Sequence, residues 1–155
     1  MLLFNYQRAP FVKIGCVLYA IFMNDTTLIR ELDEVFSKYI CLRDAKPNGT
    51  FQCISCGKTL PLKLATAGHF FSKIHMGTRF NEYNVNAECC ECNNPITAKR
   101  LINYYENLTK KIGKLRMDRL EIEAHIRRPW SEPELRYLIA YYDRKCEELQ
   151  KEKNL

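Results

Sequence analysis

Apolar residues recur three and four positions apart in several stretches of this chain, the spacing of helices that bury one face. The first stretch predicts a helix with its N-cap at Asp25 or Thr26 that runs to about Arg43. A second helix is expected between Thr97, which suits an N-cap, and Gly113, which suits a helix end. The core-facing residues of the first helix would be Leu28, Leu32, Val35, Phe36, Tyr39 and Ile40.

The region between these two helices carries shorter segments that are typical of strands. Residues 65–73 predict one strand and residues 80–87 predict a second that returns beside it. Beyond Gly113, residues 115–126 predict a third helix, and Ser131 with Glu134 forms the capping box that opens a last one. The chain is therefore expected to be α+β, with a small hairpin core flanked by α-helices.

The N-terminal segment, residues 1–23, differs from the rest of the chain. Its second half is nearly all apolar but too short for a membrane span, which needs about 20 residues. It also lacks the small-residue cleavage site of a signal peptide. We expect no membrane partner, and we favour Met23 as the true start, with residues 1–22 poorly ordered or an upstream translation artefact.

Composition places the chain among soluble globular proteins. Its 155 residues are 46% hydrophobic and 27% charged, which suits a domain with a real core. The net charge of +6 is compatible with an anionic partner without requiring one. Residues 99–128 hold nine basic and four acidic side chains, either as a solvated helix face or as a surface for a phosphate backbone.

Four of the eight cysteines form two matched pairs, Cys53/Cys56 and Cys89/Cys92. Cys-x-x-Cys spacing lets two thiolates reach one metal ion, and two such knuckles complete a tetrahedral zinc site. Disulfides are the alternative, but the absence of a convincing secretory signal favours metal-bound thiolates. Four thiolates leave zinc no open position, so this site is expected to be structural. The other cysteines, expected as buried thiols with Cys90 as the ambiguous one, are Cys16, Cys41, Cys90 and Cys146.

A histidine and two asparagines suggest chemistry within this cysteine framework. His69 lies on the first predicted strand and Asn84 near the end of the second, while Asn93 directly follows the second cysteine pair. Hydrolysis of a phosphodiester needs a base that activates water and a divalent ion on the phosphate. His69 would be the base, Asn84 would position it and Asn93 would hold the ion. Taken singly, each of these residues is more often structural.

Several motifs resemble the NinG (Rap) recombination proteins of lambdoid phages. They are the two cysteine pairs, Ala67-Gly-His-Phe70, Arg79-Phe-Asn-Glu-Tyr-Asn84-Val and the asparagine after the second pair. The similarity covers about residues 26–150. That family is a divergent member of the His-Asn-His nucleases. The resemblance therefore implies a zinc-stapled ββα-metal core and a DNA endonuclease that cuts Holliday junctions or D-loops with Mg²⁺ or Mn²⁺.

The resemblance also assigns roles to individual residues. His69 matches the general base, Asn84 the central asparagine and Asn93 the last histidine of the motif. One position departs from the pattern, because many His-Asn-His enzymes have a metal-binding aspartate where this chain has Gly68. Magnesium prefers carboxylates, so Asn93 alone would be a poor site. Water and substrate phosphate could complete the metal's shell, or a second ligand could come from Glu82, His75 or Glu91.

The resemblance implies branched DNA as the partner, in the cytoplasm of a bacterial host cell, and symmetric cutting would favour a homodimer. One alternative is a zinc-stapled DNA-binding module without catalysis, which Gly68 supports. Another is a structural zinc protein that recruits a further recombination factor through Tyr104, Tyr105, Tyr141 and Tyr142. The predicted DNA contacts are Arg79, Lys99, Arg100, Lys110, Lys111 and Lys114.

The expected organisation has four parts along the chain. These are the atypical apolar segment 1–23, an N-terminal helix at 24–46, a zinc-bound nuclease core at 47–113 and a C-terminal helical region at 114–155.

Overall fold

The computed structural model describes the backbone of residues 11–94 and 97–155, and within them the side chains from residue 26 onward. The structure is α+β, as expected. Its helices are α1 (Phe11–Asp44), the single turn α2 (Cys90–Asn93), α3 (Ala98–Ile112), α4 (Lys114–His125) and α5 (Glu132–Lys153). Its strands are β1 (Thr50–Gln52), β2 (Thr59–Pro61), β3 (Ala65–His69) and β4 (Val85–Cys89).

The first helix begins earlier than its sequence predicts. Helix α1 starts at Phe11, so the predicted N-cap at Asp25 or Thr26 lies within the helix and that prediction is wrong. The apolar segment after Pro10 contains Gly15 but no proline, and it continues directly into the amphipathic one. Within the described part of the chain, none of the helices combines the length and the apolar character that crossing a membrane demands.

The other predicted helix ends agree closely with the structure. The Thr97 hydroxyl accepts a hydrogen bond from the Arg100 backbone N–H at 3.2 Å and so caps α3. Gly113 ends that helix with a φ of 81°, a conformation that favours glycine. Ser131 and Glu134 form the predicted capping box at the start of α5.

Two antiparallel hairpins form the sheet structure. Strand β1 pairs with β2 around the first cysteine pair, a hairpin that the sequence pattern does not predict. Strand β3 pairs with β4, with Ala65 opposite Cys89 and His69 opposite Val85. The strands are shorter than predicted at the turn, because β3 ends at His69 and β4 begins only at Val85.

The principal core lies between α1 and α5. Leu32, Phe36 and Ile40 of α1 are fully buried in a cluster with Leu135 and Cys146 of α5. Burial of a leucine, isoleucine or phenylalanine side chain contributes about 1.5–3 kcal/mol. The N-terminal and C-terminal helices therefore share one core.

The β3–β4 hairpin lies between this helical core and α3. Since paired residues share a face, Ala67 and Val85 lie on the face that packs against the α1 cluster. Gly68 and Glu88 lie on the opposite face, where Arg100 and Tyr104 of α3 contact them. Residues on β3 are consequently divided between two different environments.

Candidate functional site

The four paired cysteines converge on one point of the structure. The sulfur atoms of Cys53, Cys56, Cys89 and Cys92 all lie within 4.8 Å of one another. Sulfur atoms about 2.3 Å from one tetrahedral zinc ion would be about 3.8 Å apart, and Cys56 Sγ lies 4.0 Å from Cys89 Sγ. This donor set fits a structural zinc ion, and these four residues would hold it.

The backbone folds around this cluster as metal-binding knuckles require. The Gly57 N–H donates to the Cys53 carbonyl at 2.9 Å, with Gly57 at a φ of 71°. The Cys89 N–H points at the Cys53 sulfur at 3.4 Å, so it stabilises a thiolate there. Cys90 is exposed and lies outside this group, so the expectation that it is a buried thiol is wrong. Cys146 is buried, as expected. Cys16 falls outside the described side chains.

His69 is the last residue of β3 and is mostly buried. Its Nε2 lies 3.0 Å from the carbonyl oxygen of Arg79. A carbonyl can only accept, so Nε2 carries the proton in the neutral ring and Nδ1 carries the lone pair. Burial lowers the pKa of His69 to about 4, against the opposing effect of the Arg79 carbonyl. The ring is therefore neutral at physiological pH, and Nδ1 is the atom that would accept a proton.

Arg79, whose carbonyl accepts the hydrogen bond from His69, is itself fixed by an ion pair. The Arg79 guanidinium donates to both carboxylate oxygens of Asp33 on α1, at 3.1 and 2.6 Å. Lys73 approaches the same carboxylate at 3.3 Å. Arg79 was predicted to contact DNA, but its side chain is engaged here and largely covered. Its observed effect is to connect the carbonyl beside His69 to the first helix.

Asn84 is a buried structural residue that fixes the loop after His69. Its side-chain oxygen accepts from the Phe71 N–H at 2.8 Å, and its amide donates to the Phe71 and Thr78 carbonyls at 2.9 Å. These bonds join both ends of the segment that connects β3 to β4. Asn84 therefore acts on the backbone of the loop after His69, through Phe71 and Thr78, and its positioning of the His69 ring stays a prediction.

Asn93 lies at the end of α2, on the other side of the hairpin from the His69 ring. Its amide donates to the Thr66 hydroxyl at 3.2 Å. Thr66 and His69 are three residues apart on one strand, so their side chains point to opposite faces and are separated by about 10 Å along it. The structure thus brings Asn93 to the Gly68 face rather than into a pocket with His69 and Asn84.

A buried ion pair occupies the space that the missing side chain at position 68 would take. A Cβ added to Gly68 would lie only 2.1 Å from Glu88 Oε2 and 2.9 Å from Glu88 Cβ. The Glu88 carboxylate accepts from Arg100 Nε at 2.8 Å and Nη2 at 2.7 Å, and from the Ser55 hydroxyl. The sequence analysis did not identify Glu88. The signal that could have identified it is Gly68, because a glycine where a carboxylate is expected indicates that another group fills the space.

Arg100 and Tyr104 fix the backbone at the end of β3. Arg100 Nη2 also donates to the His69 carbonyl at 3.1 Å, and the Tyr104 hydroxyl donates to the Gly68 carbonyl at 2.7 Å. Arg100 is only 5% exposed, and its charge is paired with Glu88. The prediction that Arg100 contacts DNA is therefore corrected, because its guanidinium lies in the interior.

The other basic residues predicted to contact DNA lie at the surface. Lys99 and Lys110 are exposed on α3. Lys111 donates to Asp44 at 3.2 Å and to the Asn86 side chain at 2.7 Å, so part of its hydrogen-bonding capacity is used within the protein. Lys114 pairs with Asp118 one turn further along α4.

The alternative magnesium ligands do not assemble beside Asn93. The Glu82 carboxylate accepts from the Tyr39 hydroxyl at 2.7 Å, and His75 Nδ1 lies 2.9 Å from the Ala124 carbonyl. Glu91 is exposed and 4.0 Å from Lys58. In the described part of the chain, the four cysteines are the one group of three or more ionisable ligands close enough to share an ion. These residues therefore do not fit a carboxylate-based magnesium site.

The tyrosines of the recruitment alternative divide between interior and surface. Tyr104 and Tyr142 are buried in the two main clusters, which contradicts their predicted exposure. Tyr105 is exposed and Tyr141 is half-buried. Because half of the proposed surface is interior, this alternative loses most of its support.

The hairpin, the flanking helices and the cysteine cluster define an α+β protein whose four paired cysteines are placed to hold a structural metal ion. The family model described as Bacteriophage Lambda NinG protein matches residues 21–152. The chain therefore belongs to the NinG family, which confirms the resemblance noted in its motifs.

Individual relatives agree with the family model. The chain is 30% identical over 122 residues to Protein ninG of Escherichia phage lambda, an alignment that covers 78% of this chain and 56% of the relative. The proteins of the same name from Escherichia phage 933W and Enterobacteria phage VT2-Sa are also 30% identical over 122 residues. The match thus spans somewhat more than half the length of these relatives, and no solved structure matches the chain significantly.

Proposed function

We propose that this protein is a metal-dependent DNA endonuclease that cuts branched recombination intermediates, such as Holliday junctions and D-loops. The observation that carries the proposal is the state of His69. Its ring is neutral, its Nε2–H is directed to the Arg79 carbonyl, and its Nδ1 has the lone pair that a general base needs. The NinG family membership and the resemblance of its motifs to His-Asn-His nucleases support the choice of DNA as substrate.

The surrounding residues support this role through the backbone. Arg100 and Tyr104 bind the carbonyls of His69 and Gly68, and Asn84 binds the backbone of Phe71. A general base must be held within hydrogen-bonding reach of the water it activates, so a fixed strand end favours catalysis. In the proposed step, His69 Nδ1 takes the proton of a water molecule as the water oxygen attacks the phosphorus atom. The bond from phosphorus to one sugar oxygen breaks, and that leaving oxygen takes a proton from solvent.

Magnesium or manganese belongs to the proposal as the ion that supplies charge on the scissile phosphate. Since the described carboxylates do not assemble a site for it, no step is assigned to the ion. Asn93, the ligand that the motif suggests, lies on the opposite face of the hairpin from the His69 ring, so it does not fit an ion at the phosphate that His69 would face.

The direct test is cleavage of a synthetic four-way junction by the purified protein with Mg²⁺ or Mn²⁺. We expect His69→Ala to lower the cleavage rate about 10²–10⁴-fold, the usual contribution of a general base. Zinc content and junction binding should stay at the wild-type level. His75→Gln is the matched control, because His75 lies in the same loop but its Nδ1 is directed to the Ala124 carbonyl. Cleavage by His69→Ala at the wild-type rate would show that the general-base assignment is wrong.

A second candidate function is a zinc-stapled DNA-binding module without catalytic activity. The observation that favours it is the Glu88–Arg100 pair, which fills the position where related nucleases carry a metal-binding aspartate. The same assay separates the two functions. Junction binding without cleavage products, in both Mg²⁺ and Mn²⁺, would support the binding module and refute the endonuclease.

A further inference from the structure

A large cleft, separate from the cysteine cluster and from His69, opens between the loop before β4, the end of α3 and α4. Its volume is about 870 Å³. A second groove of about 500 Å³ continues it toward the first cysteine pair, and the two share Asn86 and Lys111 in their lining. We call the two neighbouring cavities together the basic cleft.

Charge in the basic cleft is predominantly positive and is arranged in two layers. Arg43 and Lys111 form its floor, where both bind Asp44 and Asn86. Burial lowers the pKa of Lys111, but the adjacent Asp44 carboxylate opposes this effect. The exposed cations of the cleft wall are Lys46, Lys110, Arg116 and Arg119.

The acidic residues of the cleft are engaged with protein partners. Asp44 is paired with Arg43 and Lys111, so its charge is balanced from within. Glu82 accepts from the Tyr39 and Tyr142 hydroxyls, and Glu123 accepts from Asn81 and Arg119. The cleft therefore presents an excess of cations to an anionic ligand, with its carboxylates directed to neighbouring side chains.

An exposed aromatic ring adds a second kind of recognition. Tyr83 lines the cleft and is 44% exposed. The guanidinium of Arg116 lies 5.0 Å from the centre of its ring. A cationic groove with an aromatic surface suits single-stranded nucleic acid, because the cations track the phosphates while unpaired bases stack on the ring.

We infer that the basic cleft binds a single-stranded segment of DNA, with its phosphates on Arg116, Arg119, Lys110 and Lys46 and one base stacked on Tyr83. The inference rests on the proposed function in taking DNA as the polyanion, and it assigns the unpaired strand of a branched intermediate to this cleft. Paired bases within a duplex cannot offer a face to Tyr83, so the cleft would distinguish branched or single-stranded DNA from continuous duplex.

The test is fluorescence anisotropy with labelled single-stranded oligothymidine and a duplex of equal length, without added magnesium or manganese, so that cleavage is not required. The double variant Arg116→Gln/Arg119→Gln should bind single strands more weakly. The logarithm of its binding constant should also depend less steeply on the logarithm of the salt concentration. The magnitude of that slope should decrease by about 1.4, which is about 0.7 for each lost phosphate contact. Tyr83→Ala should weaken single-strand binding at least about fivefold, leaving duplex binding and the salt slope unchanged.

The matched control is Arg136→Gln/Arg144→Gln, which removes the same charge from exposed α5 positions. Like Arg119, both arginines pair with a glutamate one turn further along or back in their helix. Single-strand binding by Arg116→Gln/Arg119→Gln at the level of this control would overturn the cleft assignment. Equal losses on single strand and duplex for Tyr83→Ala would overturn base stacking. Normal binding by a protein that never cleaves would instead count against the proposed endonuclease alone.

Discussion

Replacement of Arg100 by methionine is the sharpest test of how α3 is attached to the β3–β4 hairpin. Arg100 donates two hydrogen bonds to Glu88 and a third to the His69 carbonyl. Glu88 is 0% exposed, so its carboxylate would lose its cation while remaining out of water. Methionine retains much of the side-chain volume and has a similar helix propensity, so the loss of charge and hydrogen bonds dominates the change.

The expected cost is about 4 kcal/mol in the free energy of unfolding. Removal of one partner of a buried ion pair costs about 3–5 kcal/mol, since the remaining charge is buried without compensation. Loss of the hydrogen bond to the His69 carbonyl contributes up to about 1 kcal/mol of this cost. Typical domains are stable by about 5–15 kcal/mol, so a loss of about 4 kcal/mol removes a large fraction of the stability.

Urea unfolding followed by far-ultraviolet circular dichroism, in buffer with zinc, measures this cost. In the double variant Glu88→Gln/Arg100→Met the uncompensated charge is gone, so at least about 2 kcal/mol should be recovered relative to Arg100→Met. Arg136→Met is the control, because its ion pair with Glu132 is exposed and should contribute less than about 1 kcal/mol. A loss below about 1 kcal/mol for Arg100→Met, or no recovery in the double variant, would refute the reasoning.

Two further predictions concern the metal site and the histidine. Cys53→Ser should reduce bound zinc, measured by elemental analysis, and abolish the cooperative unfolding transition, whereas the exposed Cys90→Ser should change neither. His69→Gln should remove a pH-dependent loss of stability: the pKa of about 4 lies below the ordinary value of 6.5, so the unfolded chain takes up a proton first as pH falls. The free energy of unfolding of the wild type should therefore fall by about 3 kcal/mol, relative to that of His69→Gln, as the pH is lowered from 6.5 to 4. If the difference in unfolding free energy between the two proteins stays constant across this range, the burial of the ring is contradicted.

The sequence predicted the features that local patterns encode. Cys-x-x-Cys spacing located the metal site, because a tight knuckle is a local structure. Thr97, Gly113 and Ser131 located helix ends, since capping depends on a few adjacent residues. The hairpin that ends at His69 was also correct in outline.

Features that depend on distant partners were not predictable in the same way. Arg100 has the surroundings of a surface residue in the sequence, and only the packing of α3 against the β3–β4 hairpin places it beside Glu88. The three-residue strands β1 and β2 are too short to show an alternating pattern. The basic cleft combines residues from α1, the β3–β4 connection and the last three helices, so no single segment of sequence indicates it.

Gly68 now has a structural explanation that bears on the reaction. In the sequence it suggested a missing metal ligand, whereas in the structure the carboxylate of Glu88 occupies the adjacent space and is neutralised by Arg100. A carboxylate is therefore present on this face of the hairpin but is bound to a guanidinium. For the proposed endonuclease, an ion on this face would act either with Asn93 and the substrate phosphate or after displacing Arg100 from Glu88. These two arrangements differ in an observable way, because Glu88→Gln would leave a metal affinity based on Asn93 unchanged and abolish one based on Glu88.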